Sequence, residues 1–158
     1  MTQLTRVYRF SASHRLHSPN LSDAENAEIF GKCNNPHGHG HDYVLSITFS
    51  GPVNRHTGLL ICVEDLDLLV AERVLDLFAY RNINIDVSQF SGLVPTTENV
   101  ALVIAGLLEQ YCDDYLPGST AQLSRVHVQE TDRNGFEVLV PERPERKNIE
   151  IEGLLVNA

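Results

Sequence analysis

The sequence predicts an α+β protein in which two pairs of β-strands flank two helices, in the order β-β-α-α-β-β. Alternating polar and apolar residues over 7–16 and 123–130, together with β-forming runs over 42–49 and 136–140, predict the strands. Helical spacing of apolar residues over 64–78 and 96–111 predicts the helices between them. Strand pairs of this kind around a run of helices favour an antiparallel sheet with both helices on one face.

The first predicted strand covers residues 7–16 and has one mainly apolar face. That face carries Tyr8, Phe10, Ala12 and His14. His14 ends the apolar row, and an imidazole in such a place needs a polar partner. A metal ion would serve as that partner, and so would a hydrogen bond inside the core.

A loop follows the first strand. Residues 19–28 predict this loop and a short helical turn, with a capping box from Ser22 to Glu25. The second predicted strand covers residues 42–49, and the turn-forming residues 51–58 end it.

The two predicted helices occupy the middle of the chain. Residues 59–63 are either a short apolar strand or the lead-in to the first helix, which covers 64–78. Residues 82–95 predict an irregular segment. Thr96 then predicts the start of a second helix, which Pro117-Gly118 ends.

The last two predicted strands, residues 123–130 and 136–140, read as a hairpin with Asn134-Gly135 at its tip. Glu130 shares the apolar face of the first of them. A carboxylate in that position is either turned to the surface by a change of register or serves to anchor a ligand. A charged, turn-rich tail follows over 141–147, and a short edge strand is predicted over 149–156.

The composition, with 42% hydrophobic and 21% charged residues, is that of an ordinary soluble protein. The length of 158 residues predicts one domain over residues 1–158. A net charge of -9 argues against a nucleic-acid partner. The odd count of three cysteines, and the absence of a signal core or an apolar run of about 20 residues, predict a cytoplasmic protein with reduced thiols and no membrane partner.

Three of the seven histidines, His37, His39 and His41, fall within five residues and alternate with glycines. Residues two apart on a strand share a face at about 6.6 Å, so two imidazoles can share one zinc ion with bonds of about 2.0–2.1 Å. The outer pair would lie about 13 Å apart, so a further ligand must come from elsewhere. A histidine-rich surface loop is the other interpretation, and nearby Cys33 favours the metal.

Five short motifs stand along the chain: FSASHRL at 10–16, FGKCNNP at 30–36, GHGH at 38–41, TTENV at 96–100 and ETD at 130–132. In this order they resemble the 6-pyruvoyl-tetrahydropterin synthase family over roughly residues 7–140. The spacing from Cys33 to His39 resembles the animal-type synthases. It is longer than in the related 6-carboxytetrahydropterin synthases.

The resemblance implies the tunnelling fold (T-fold), in which the β-β-α-α-β-β unit forms a trimeric barrel and two trimers stack into a hexamer. The implied zinc ligands are His14, His39 and His41. The implied pterin-binding residues are Glu130, which anchors the ring, and Thr96, Thr97 and Glu98, which line a pocket at a subunit boundary.

The implied activity is that of a lyase in tetrahydrobiopterin biosynthesis. It converts 7,8-dihydroneopterin triphosphate to 6-pyruvoyl-tetrahydropterin with loss of triphosphate. Zinc would act as a Lewis acid and Cys33, as thiolate, would be the base.

The chain departs from the family at the Asp-His pair that completes the proton relay, where it carries Ala79 and Tyr80. Alanine moves no proton. A tyrosine hydroxyl, with an ordinary pKa of about 10, donates a proton but is a poor base near neutral pH. His37 is a candidate replacement, although a solvent-facing loop residue is the other interpretation.

Three functions stay open from the sequence. The first is a synthase-type lyase with Cys33, Glu130 and Tyr80 as catalytic residues. The second is a related enzyme that cleaves the pterin side chain, as 6-carboxytetrahydropterin synthases do. The third is a pterin-binding protein without turnover. A purely structural zinc site is a further alternative, which would require a fourth protein ligand such as Cys33.

Overall fold

The computed structural model describes residues 2–142 and contains a four-stranded antiparallel sheet in the order β1-β2-β3-β4. The strands are β1 (Thr2–His14), β2 (His39–Gly51), β3 (Gln122–Thr131) and β4 (Asn134–Leu139). The predicted α+β class and order of main elements are confirmed. The predicted tail beyond residue 142 and the predicted strand over 149–156 lie outside the described residues.

The helices lie between the strand pairs, and one short helix joins β1 to β2. They are α1 (Asp23–Phe30), α2 (Val63–Val70), α3 (Asp76–Phe78), α4 (Ile83–Asp86) and α5 (Thr97–Tyr115). A π-helical turn, Ala71–Leu75, makes α2 and α3 continuous. The capping box of α1 is confirmed, since Ser22 and Glu25 each accept a hydrogen bond from the other's backbone N–H.

The core lies between one face of the sheet and the two longer helices. Leu45, Ile47 and Phe49 alternate along β2 and are fully buried. They belong to one cluster with buried side chains of α2 and α5, which confirms that these helices cover a single face. Each such side chain stabilises the fold by about 1.5–3 kcal/mol. Across residues 2–142, every helix is too short or too polar to cross a lipid bilayer.

Some boundaries differ from the sequence prediction. β2 begins at His39 rather than residue 42, because the histidine segment pairs with the end of β1. Of the two alternatives for residues 59–63, the lead-in to a helix is confirmed, since α2 begins at Val63. The prediction of irregular structure over 82–95 is wrong in part, since this segment contains α4 and a 3₁₀ turn, Ser88–Phe90.

The predicted tip of the second hairpin is also wrong. Thr131 pairs with Asn134, so the turn consists of Asp132 and Arg133. Gly135 lies within β4. A Cβ atom here would lie 2.8 Å from His127 Nε2, so the lack of a side chain permits this close approach.

A β-bulge in β3 causes this shift of register. Gln129 pairs with Gly135 and Thr131 with Asn134, which leaves Glu130 as the extra residue. A bulge bends its strand and redirects the side chain it carries. Glu130 therefore stands at the point where the sheet departs from regular pairing.

Candidate active site

Strand pairing brings three predicted histidines together. His14 pairs with His39 across β1 and β2, and Ala12 pairs with His41. Since alternate residues of a strand share a face, the two histidines of β2 project on the same side as His14. One ring nitrogen from each of the three lies within 4.8 Å of the other two. The two-plus-one arrangement expected from the sequence is therefore present as a cluster.

His14 is buried, and its protonation state follows from its partners. Its Nδ1 atom lies 2.7 Å from the carbonyl oxygen of Pro95. A carbonyl can only accept, so Nδ1 carries the proton and Nε2 presents a lone pair to the cluster. Burial lowers the pKa of His14 against the opposing effect of the Pro95 bond, and His39 lowers it further. His14 is therefore neutral near pH 7, the form a metal ligand requires.

The other two imidazoles have buried nitrogens in need of a partner. His39 Nε2 lies 3.2 Å from His14 Nε2. His39 Nδ1 and His41 Nε2 are buried and make no hydrogen bond within residues 2–142. Leaving such an atom unsatisfied costs about 1–3 kcal/mol. Burial, together with the neighbouring His41, lowers the pKa of His39. This set of buried imidazole nitrogens fits a zinc ion.

Glu130 lies beside the histidine cluster and has 14% of its side chain exposed. Its Oε1 atom is 3.6 Å from His14 Nε2 and 3.7 Å from His41 Nε2. Its Oε2 atom accepts a hydrogen bond of 3.0 Å from Asn134 Nδ2. Burial opposes ionisation, but hydrogen bonds from Asn134 and Thr97 and the nearby histidines lower the pKa of Glu130 overall. The carboxylate is therefore ionised.

The start of α5 connects this site to the next predicted motif. Thr96 caps the helix, since its hydroxyl accepts from the Asn99 N–H at 3.3 Å. The Asn99 side chain donates to the carbonyl of Val94 at 2.8 Å and so fixes the turn that presents Pro95 to His14. Thr97 is buried beside Asn134.

Glu98, the third predicted pocket residue of this motif, is exposed in the first turn of α5. The structure thus brings Thr97 to Glu130 and leaves Glu98 at the surface of this chain. Sequence reasoning missed Pro95, Asn99 and Asn134. A signal for Asn99 was present in the TTENV motif, but nothing in the sequence indicated the other two.

Cys33 lies half-buried in a 3₁₀ turn, Gly31–Asn34. Its carbonyl accepts a hydrogen bond of 2.9 Å from the Leu16 N–H, which holds the turn beside the end of β1. Within residues 2–142 the donor atoms that converge are those of the three histidines, and the Cys33 sulfur is not among them. The alternative of a structural zinc site closed by Cys33 gains no support from this arrangement.

The approach of the histidine loop to β1 depends on Gly38. This residue has a φ angle of 70°, and a Cβ atom here would lie 2.8 Å from the carbonyl oxygen of His14. Glycine is therefore needed both for the backbone conformation and for the contact. The preceding His37 is exposed in this loop, as the alternative interpretation of it expected.

Ala79 and Tyr80 lie on the outer edge of β1. The Tyr80 N–H donates to the Ser11 carbonyl at 2.6 Å, and the Arg81 carbonyl accepts from Ser13 at 2.9 Å. Tyr80 has a φ angle of 60° and a side chain that is 90% exposed. This chain alone therefore directs the Tyr80 ring into solvent, while the Ala79 methyl group packs against the core.

These elements define a small α+β protein in which two paired strands carry three imidazoles suited to a metal ion, with an ionised carboxylate next to them. Catalytic zinc sites commonly use three protein ligands of this kind.

The sequence profile of the 6-pyruvoyl tetrahydropterin synthase family matches residues 3–140, and the chain belongs to this family. It is 48% identical to the 6-pyruvoyl tetrahydrobiopterin synthase of Drosophila melanogaster over 101 residues. This aligned region covers 64% of this chain and 60% of that protein. It is 42% identical to the human 6-pyruvoyl tetrahydrobiopterin synthase over 132 residues, and this aligned region covers 84% of this chain and 87% of that protein.

A solved structure gives the same result for the fold. The structure of Caenorhabditis elegans 6-pyruvoyl tetrahydropterin synthase matches with a TM-score of 0.80 and 38% identity, over 89% of this chain and 96% of that chain. The T-fold expected from the sequence motifs is confirmed. Membership in this family supports a synthase-type enzyme of pterin metabolism.

Proposed function

We propose that the protein is a zinc-dependent lyase that converts 7,8-dihydroneopterin triphosphate to 6-pyruvoyl-tetrahydropterin with release of triphosphate. The observation that carries this proposal is the convergence of three imidazole nitrogens within 4.8 Å, next to the ionised Glu130 carboxylate. Three imidazole ligands leave a position for substrate, as catalytic zinc sites require. Family membership supplies the substrate class.

The metal would be held by His14, His39 and His41. When bound, it would supply Lewis acidity toward the oxygens of the pterin side chain. The Pro95 carbonyl orients the His14 ring and fixes its tautomer, a role that commonly tunes metal affinity. Asn99 supports this contact through its hydrogen bond to Val94.

The pterin ring would be held by Glu130. Its two carboxylate oxygens match a pair of ring N–H donors, and such charge-assisted pairs are strong and directional. Hydrogen bonds from Asn134 and Thr97 keep the carboxylate ionised for this purpose. Thr96 and Glu98, at the start of α5, would line the rest of the pocket.

Proton transfer would be divided between Cys33 and Tyr80. The Cys33 thiolate would remove protons from the carbon atoms of the pterin side chain, since the thiolate is the reactive form. A phenol is a better proton donor than acceptor near neutral pH, so Tyr80 would act as the acid. The exposure of Tyr80 supports a role at a neighbouring subunit's site, in a hexamer of two stacked trimers.

Cleavage of the pterin side chain, to a 6-carboxy or shortened product, is a second candidate function. The observation that favours it is the substitution of Ala79 and Tyr80 for the relay pair, since Ala79 cannot transfer a proton. If the replacement of the relay pair by Ala79 and Tyr80 removes all proton transfer, the protein binds a pterin without turnover. The three functions differ in their products, so one experiment separates them.

The test is mass spectrometry of the products formed from 7,8-dihydroneopterin triphosphate, with zinc-loaded and chelator-treated protein. We expect triphosphate release and the 6-pyruvoyl product in the presence of zinc. Cys33→Ala should lower this turnover by about 10²–10⁴-fold without loss of zinc, because it removes a general base. Cys62→Ala, which changes an exposed cysteine at the start of α2, is the matched control.

A shortened product would support the side-chain-cleaving enzyme instead. Tight pterin binding without any product would support the binding protein. The absence of both binding and product would reject all three functions.

A further inference from the structure

The turn that carries Cys33 is held by hydrogen bonds rather than by burial in the core. This 3₁₀ turn, Gly31–Asn34, contains no buried residue. It docks instead on residues 15–17, which continue the chain directly after β1 ends at His14. The orientation of Cys33 therefore depends on the polar contacts between the turn and this short segment.

The Asn34 side chain makes two of these contacts. Its Nδ2 atom donates to the carbonyl of Leu16 at 2.7 Å and to His17 Nδ1 at 3.0 Å. A carbonyl only accepts, so the atom that faces Leu16 is the amide nitrogen, and both of its protons are used. The Leu16 N–H donates to the Cys33 carbonyl at 2.9 Å. Both polar backbone groups of Leu16 are thus bound to the turn.

Arg15 fixes the same segment from the opposite side. Its backbone N–H donates to Asn84 Oδ1 at 2.7 Å, and its carbonyl accepts from Asn84 Nδ2 at 2.9 Å. Asn84 belongs to α4, so this helix holds the segment at both polar groups of Arg15. The Arg15 guanidinium also donates to the Asn34 carbonyl at 3.0 Å. Since its support is held independently, a change at Asn34 should displace the turn and leave the support in place.

We propose that Asn34 is a positioning residue, which sets the Cys33 thiol for proton removal by docking its turn on residues 15–17. The docking stands on the contacts alone. The effect on catalysis rests on the proposed function, since it takes Cys33 as the base. A displacement of about 1 Å at a reacting group costs about 10²-fold in rate. Asn34 would therefore affect kcat, whereas pterin binding at Glu130 would be kept.

The kinetic test compares Asn34→Ala with Asn35→Ala. We expect Asn34→Ala to lower kcat by about 10–100-fold while KM and zinc content stay close to those of wild type. Asn34→Asp keeps the size of the side chain but loses both donor protons near neutral pH, so it should have the same effect. Asn35→Ala is the matched control, because the Asn35 side chain accepts from the His37 N–H at 3.2 Å, within the histidine loop. It should leave kcat unchanged.

Amide hydrogen exchange at Leu16 reports the docking without any turnover. Its N–H donates to the Cys33 carbonyl, so it should be protected in the wild-type protein. Asn34→Ala should speed this exchange roughly tenfold, as expected for the loss of two hydrogen bonds. Asn35→Ala should preserve the protection.

The outcomes separate the docking from the catalytic role. A wild-type Leu16 amide that exchanges at the unprotected rate would overturn the docking, and this measurement needs no variant. Faster exchange in Asn34→Ala with an unchanged kcat would reject the positioning role. A loss of zinc or a large rise in KM would also reject it, because the effect would then extend to the whole site. If wild-type protein has no turnover, the catalytic role fails together with the proposed function, and Leu16 exchange still decides whether Asn34 holds the turn.

Discussion

The histidine cluster and the Tyr80 segment are built in opposite ways. The cluster lies on two paired strands, and its ring nitrogens converge within 4.8 Å inside a single chain. Tyr80 lies on the open edge of β1 with 90% of its side chain exposed and a φ angle of 60°. The histidine cluster is thus assembled by this chain alone, whereas the candidate proton donor is directed away from it.

The two regions also differ in what holds them. The three imidazole rings of the cluster lie edge-on to one another, and the Pro95 carbonyl orients the His14 ring, so this arrangement depends on the side chains themselves. The Tyr80 segment is held by backbone groups, through the N–H of Tyr80 and the carbonyl of Arg81, and most residue types could supply these. The fold can therefore accept Ala79 and Tyr80 in place of an Asp-His pair without rearrangement. Side chains at the edge of β1 can therefore change with little effect on the fold, whereas changes within the histidine cluster disturb its arrangement.

Replacement of a cluster residue should have the largest effect. His14→Ala should abolish stoichiometric zinc binding and lower turnover about a thousandfold, because a Lewis acid contributes several kcal/mol and each 1.36 kcal/mol is tenfold in rate. Metal analysis and steady-state kinetics on folded protein measure both. His56→Ala, in an exposed loop, should change neither. One zinc ion per chain in His14→Ala would show that the cluster is not the metal site.

Restoration of the family pair in the Tyr80 segment should have a smaller effect of opposite sign. Ala79→Asp combined with Tyr80→His should raise turnover about 10–100-fold, part of the contribution of a general acid–base pair. Zinc content should stay constant. The free energy of unfolding should fall by about 1 kcal/mol, because the Ala79 methyl group packs against the core and is replaced by a carboxylate. Tyr80→Phe is the matched control, since it removes the hydroxyl alone and should lower turnover. If neither protein differs from wild type, Tyr80 has no part in proton transfer.

The sequence predicted the cluster because strand periodicity is a local property. A spacing of two residues predicts that the imidazoles of the histidine segment share a face and that a further ligand comes from elsewhere. The apolar row before His14 predicts an inner face for that residue, and the family resemblance selects His14, His39 and His41. Pairing of β1 with β2 then brought them together. The family motifs added Glu130 and Thr97, which lie beside the cluster.

The parts that sequence reasoning missed depend on tertiary contacts. The bond from His14 to the Pro95 carbonyl joins residues 81 positions apart, and any residue could supply a carbonyl. The bulge at Glu130 has no sequence signature, so the Asn134-Gly135 pair predicts the tip of the turn at the wrong position. That misplaced register also hid Asn134, whose side chain reaches Glu130 only in the bulged pairing.

The pH dependence of stability should distinguish the cluster in metal-free protein. Burial lowers the pKa of His14 and of His39 in the folded state. The unfolded chain takes up protons at these histidines with a pKa of about 6.5, so it binds more protons than the folded chain below that pH. Stability is therefore fully present above about pH 6.5 and decreases as the pH falls below it.

Urea unfolding of chelator-treated protein between pH 5 and pH 7.5 (chosen as about one pH unit or more on either side of the ordinary histidine pKa) measures this decrease. His14→Gln should reduce the dependence, because it removes the more deeply buried imidazole. His56→Gln should preserve it. An unfolding midpoint that is the same at both ends of the range would contradict the assignment of neutral histidines.

The smallest expected effect concerns the backbone at Tyr80. A non-glycine residue with a positive φ angle carries a strain of about 1–2 kcal/mol, and Tyr80 gains little from burial in return. Tyr80→Gly should therefore raise the free energy of unfolding by about 0.5–1 kcal/mol, after the greater entropy of glycine in the unfolded chain is subtracted. Ala79→Gly, at a φ angle of -66°, is the matched control and should lower it by about 0.5–1 kcal/mol. Urea midpoints of the three proteins at one pH measure the difference. Equal destabilisation by both glycines would mean that the Tyr80 ring makes stabilising contacts, and the contrast with the histidine cluster would then be weaker than the exposed ring indicates.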